Sequence, residues 1–144
     1  MRSKLIITFT FAWLLLLGGC QGNANVVAGQ QDLLGHAYVL SAFDGTAFNT
    51  DIPEAVYIEF SESFRVSGKI CNNFTGMGEL VDGRLLVRQM ASTRMLCAYS
   101  PLNELESTFS QMLMNGADLR LEGNLLTLSG QGHELVFSQR DWVD

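Results

Sequence analysis

Two apolar runs, 74–80 and 84–89, flank Val81-Asp82-Gly83 near the middle of the chain, and no other stretch limits the fold as tightly. Asp-Gly between such runs predicts a tight β-hairpin, because both residues tolerate the positive φ of a twisted two-residue turn. With Leu80 facing Leu85, the position opposite Cys71 falls near Arg94, three residues from Cys97. A disulfide needs Cα atoms within about 7 Å. The hairpin therefore carries two cysteines into one neighbourhood, without by itself joining them.

What two cysteines do there depends on the compartment, and the first residues speak to that. Arg2 and Lys4 precede an apolar run from Leu5 to Leu17, interrupted by Thr8 and Thr10 and followed by Gly18-Gly19-Cys20. A charged start, a short apolar segment and small residues before a cut site predict a signal peptide over 1–19. The run falls short of the roughly 20 residues of a spanning helix. Leu17-Gly18-Gly19-Cys20 resembles the bacterial lipobox, which makes Cys20 the lipidated first residue of the mature chain; the alternative is an ordinary signal peptide cut between Gly19 and Ala28. Gln21, in place of an aspartate, resembles lipoproteins passed on to the outer membrane. The expected location is the bacterial cell envelope, anchored to the membrane by palmitate-class acyl chains on Cys20 and facing the periplasm. Each buried methylene of such chains contributes roughly 0.8 kcal/mol.

Without Arg2 and Lys4, the 9 basic residues become 7 against 15 acidic ones, a formal charge of −8. So acidic a module is a poor match for nucleic acid, and none is expected as a partner. Residues 20–31 read as the lipidated cysteine and a flexible polar tether, and 32–140 as one domain with its own core. Cys71 and Cys97 are the cysteines left in that domain, in a compartment where disulfides form and persist.

The remaining pattern is strands, one helix, then strands. The apolar run 36–43 ends at Asp44-Gly45, and the alternating runs 55–60 and 64–71 form a second hairpin. Ser100-Pro101 opens a helix, with serine as cap and Glu104 and Glu106 near the positive end of its dipole. Leu102, Leu105, Phe109, Met112 and Leu113 make one apolar stripe, which Asn115-Gly116 ends. Runs at 118–121, 125–128 and 133–137 close the chain. The predicted class is α+β: a single small domain in which a strongly curved antiparallel β-sheet packs on one α-helix.

The stretch from Val66 to Gly76 (VSGKICNNFTG), Met90 to Cys97 (MASTRMLC) and Leu102 to Glu106 (LNELE) together resemble the META domain, and within it the HslJ-type lipoproteins of Gram-negative bacteria. The resemblance covers Leu34 to Phe137. It implies a small α+β domain on a curved sheet and a link with heat-shock and stress responses, with no general catalytic activity or cofactor.

The residues agree with that restraint. A nucleophilic Cys71 wants a base beside it, and His36 and His133 lie far off in sequence in the first and last strands. Two cysteines with two remote histidines make no zinc motif, so no metal is expected. A Cys71–Cys97 disulfide is favoured, with paired reduced core thiols as the alternative. Asn72 and Asn73 suit a strand end, where asparagine tolerates left-handed φ and bonds nearby backbone. Thr93 and Arg94 either satisfy neighbouring carbonyls or line a polar pocket with the asparagines. Gly76-Met77-Gly78 reads as close backbone approach or a bulge. Two functions are compatible with this: a non-catalytic envelope lipoprotein that supports the stress response by contacting another envelope protein, or a module that binds a lipid or other small apolar ligand between sheet and helix.

Overall fold

The computed structural model describes residues 28–48 and 55–140. The expected signal peptide, Cys20 and the tether as far as residue 27 lie outside these residues. After a 3-10 turn at Gln30–Asp32 come strands β1 (Ala37–Phe43), β2 (Thr46–Ala47), β3 (Tyr57–Phe60), β4 (Arg65–Lys69), β5 (Asn73–Val81) and β6 (Arg84–Ser92). Helix α1 (Ser100–Asn115) follows, then β7 (Ala117–Glu122), β8 (Leu125–Gly130) and β9 (His133–Arg140).

All of the strand pairings are antiparallel, and their order is β2-β1-β3-β4-β5-β6-β7-β8-β9, with β1 also paired to β9. That last pairing runs from Ala37↔Arg140 to Phe43↔Leu135. It closes eight of the nine strands into a ring, with two-residue β2 appended to the end of β1. The expected α+β class, a strongly curved antiparallel sheet packed on one helix, is therefore wrong: among the described residues the fold is a closed, mostly β barrel with one short helix. The physical reason lies at the seam. Closure removes the two exposed edges an open sheet would leave, and it joins strands almost a whole domain apart in sequence, beyond what local alternation reveals.

Short connections have the turn chemistry expected of them. Asp44-Gly45 and Asp82-Gly83 both take positive φ (48° and 73°; 50° and 76°), and Gln131-Gly132 does the same (55° and 85°). Leu80 faces Leu85 across the central hairpin. A bulge between Thr75 and Met77 then sets Gly76 against both Gln89 and Met90, with Gln89 at φ 51°. A Cβ on Gly76 would collide with the Val87 side chain and the Arg88 carbonyl, so the bulge leaves room for glycine alone. The extra residue moves the line of Cys71 one position nearer Cys97.

Inward side chains fill the ring. Tyr38, Ile58, Phe60, Leu85, Leu126, Leu128, Leu135 and Phe137 are all fully buried. The helix turns its whole predicted stripe, Leu102, Leu105, Phe109, Met112 and Leu113, into this core. Phe109 meets Phe74 of β5 edge-on at 5.4 Å between centroids and Phe137 of β9 at 6.0 Å. Those strands stand on opposite sides of the ring, so one side chain bridges it. The helix start differs by one position from expectation. Tyr99 is the N-cap and makes no side-chain cap bond, while Ser100 already lies in the first turn.

The seam between β1 and β9 carries a polar clasp at its end. Asp44 accepts from the Glu134 N–H at 2.8 Å and lies 2.8 Å from His133 Nδ1, whose ring stacks on Phe43. The Glu134 bond, and then the one to His133, hold the Asp44 carboxyl below its ordinary 3.8. A depressed folded-state value means the clasp stabilises fully above pH 3.8 and fades as pH falls through the lower folded value. Asp44→Asn should therefore cost stability at neutral pH, and the difference from the parent should close in acid. Parallel urea titrations across that range check it.

Candidate functional site

The residues singled out around Cys71 meet where β5 begins and the chain leaves β6. Cys71 and Cys97 are bridged, with S–S at 2.06 Å and Cα atoms 5.8 Å apart. The bridge spans 26 residues, a loop for which chain entropy alone suggests about 3.5 kcal/mol.

Asn72 is the buried centre of the cluster, 6% exposed. Its Oδ1 accepts from Met95 N–H at 2.7 Å and from the Thr93 hydroxyl at 2.9 Å. Its Nδ2 donates to the Met95 carbonyl at 3.1 Å and to Glu106 Oε2 at 3.2 Å. The side-chain amide thus pairs with Met95 as a neighbouring strand would, extending the β5–β6 ladder by one rung where the backbones diverge. Asn73 continues it: Thr93 N–H donates to the Asn73 carbonyl at 3.0 Å, and Asn73 N–H donates to Thr93 Oγ1 at 3.1 Å. Arg94 takes no part in these hydrogen bonds; it is exposed and, with Asn72 and Thr93, lines the polar groove beside the cluster.

Glu106 is the member that sequence reasoning placed elsewhere. Instead of serving the helix dipole, its Oε2 accepts from both the backbone N–H and the Nδ2 of Asn72, at 3.1 and 3.2 Å. The available signal was position: Glu106 lies four residues after Leu102, so it borders the buried stripe. The carboxylate thus ties the helix to Asn72, and the Asn72 side chain in turn holds the loop before the helix at Met95.

Chemically the cluster is spent on itself. Ligand atoms of Cys71, Cys97 and Glu106 lie within 4.8 Å of one another, but sulfurs bonded to each other are not the thiolates that metals bind. The histidines are engaged elsewhere, His133 with Asp44 and His36 Nδ1 with Gln139 Nε2 at 3.0 Å. What faces outward is different in kind. Pinned at Met95 by Asn72 and at Cys97 by the disulfide, the loop presents Leu96 at 96% exposure and Met95 at 60%. Beside it runs an open groove of about 390 Å³, with Ser92, Thr93 and Arg94 on one wall and Asn103, Ser107 and Ser110 of the helix on the other.

Comparison with known proteins agrees with this fold and these motifs. The META domain family model matches residues 31–142. Heat shock protein HslJ of Escherichia coli (strain K12) is 38% identical over 132 residues, covering 90% of this chain and 92% of that one. A solved NMR structure with 37% identity superposes with a TM-score of 0.71 over 77% of this chain and 94% of its own. An NMR structure of a protein from Burkholderia xenovorans shares the fold, with a TM-score of 0.64 at 24% identity over 96% and 95% of the two chains. With the cysteine pair, the asparagine node and the helix inside the matched region, the chain belongs to the META domain family.

Proposed function

We propose that this META domain protein is a non-catalytic envelope lipoprotein, anchored at Cys20, that supports the heat-stress response by contacting another envelope protein. The link with heat stress comes from the name of its relative, heat shock protein HslJ. The observation that carries the contact is Leu96. With Met95 beside it, Leu96 forms a small apolar knob in water on a loop fixed on both sides, and a preorganised knob of this kind is what a contact surface uses. The interior favours this reading over an apolar ligand slot, since Tyr38, Phe60, Phe109 and Phe137 already occupy it.

A photo-crosslinking residue at position 96 in heat-stressed cells tests the proposal. One discrete protein adduct is expected at 96 and none at Asp82, at the tip of the central hairpin. Cys20→Ser should move the chain out of the membrane fraction. Equal labelling at both positions would remove the contact reading, and unchanged membrane association would remove the anchor.

A further inference from the structure

Although the barrel closes, its wall is incomplete between β6 and β7. These strands pair through Arg84↔Asp118 and Leu85↔Ala117, while β6 continues seven residues further, to Ser92. Where the ladder with β7 stops, the helix begins to cover the edge: the Leu86 side chain packs against Gly116 at the helix end. Next comes the bulge at Gln89 and Met90, a common way to twist an edge away from unwanted pairing. Beyond the bulge the groove opens, and the edge faces it.

Hydrogen-bond direction shows what this stretch offers. Thr93 N–H points to the Asn73 carbonyl, and the Met95 N–H and carbonyl are both taken by the Asn72 side chain. In an extended strand alternate residues turn their N–H and C=O to opposite sides. Ser92 and Arg94 therefore direct theirs away from β5, and both line the groove. Two donors and two acceptors at strand spacing, with a helix as the far wall, match one kind of occupant: another extended backbone.

We propose that the groove between the end of β6 and α1 binds an extended segment of a partner polypeptide as an added β-strand, paired to the backbone of Ser92 and Arg94. The proposal rests on the reading that the domain works through protein contacts, and it names the mode. Asn103, Ser107 and Ser110 lie at spacings of four and three on the helix wall, where their polar groups meet side chains of the added strand. Met95 and Leu96 supply the apolar end, so the segment carries an apolar residue there.

The test uses the full-length chain and a displayed library of linear peptides as the probe. Recovered peptides should bind Arg120→Ala, exposed on β7 and away from the groove, as they bind the parent. Ser92→Pro deletes the outward N–H without touching the β5 ladder and should weaken them roughly tenfold. Independently of any variant, hydrogen exchange on the unmodified chain should show Ala91 and Thr93 protected and Ser92 and Arg94 open, the latter two closing when peptide is added. The proposal is overturned if no peptide is recovered, if Ser92→Pro binds as tightly as the parent, or if the Ser92 amide is already protected in the free chain, as it would be under a second copy. A discrete adduct at Leu96 alongside any of those results would leave the contact reading standing and remove only strand addition.

Discussion

Phe109→Ala is expected to lower the unfolding free energy by about 3–5 kcal/mol, the range for a large aromatic removed from a core. The upper half of that range is expected, because the ring is 1% exposed and touches Phe74 and Phe137 from opposite sides of the barrel. No single neighbour can move to fill a space bounded by two facing walls. Urea denaturation would read the loss as a lower midpoint with an unchanged slope. Gln111→Ala, two residues along on the exposed face, should stay within about 0.5 kcal/mol of the parent. Equal losses at both positions would mean that the helix does not dock through this stripe.

Asn72→Ala is the second large effect, about 2–4 kcal/mol. Removing the amide leaves the Met95 N–H and carbonyl without their partner, and each part-buried polar group so stranded costs roughly 1–3 kcal/mol, less where water can enter. Asn72→Asp separates bonding from shape. It keeps the Oδ1 acceptor for Met95 and Thr93 but replaces Nδ2 with an oxygen facing Glu106 Oε2, 3.2 Å away in the parent. At neutral pH the aspartate variant should therefore be no more stable than the alanine variant, and it should recover as acid protonates the pair. A variant insensitive to pH would show that the Asn72–Glu106 contact contributes nothing. Because Asn72 and the Cys71–Cys97 bridge hold the same loop, losses from Asn72→Ala and from reduction should not add.

Much of this site was legible because it is local. The asparagines at a strand end, the cysteines brought together by the Asp82-Gly83 hairpin and the threonine opposite them follow from turn chemistry and register within about 30 residues. Arg94 belongs with them as a wall of the polar groove that Asn72 and Thr93 also line, although it makes none of the cluster's hydrogen bonds. The bulge was legible on the Gly76 side, where Gly76-Met77-Gly78 reads as a bulge or close backbone approach, but that the extra residue falls at Gln89 and Met90 follows only from the fit of Gly76 against Val87 and Arg88. Glu106 was visible as a helical carboxylate, but its role depends on where the helix docks.

The helix stripe, the hairpin turns and the register of Leu80 against Leu85 were thus determined by sequence alone, because the energies involved act over one turn or one rung. Closure of the barrel was decided only in three dimensions. Ala37 meets Arg140 across nearly the whole domain, and no periodicity in either strand distinguishes a partner at that distance from open solvent. The same holds for the gap after Leu85, where β7 leaves β6 and the helix takes its place. A strand's faces are written in its alternation, but its edges are assigned by whichever segment the completed core leaves beside them.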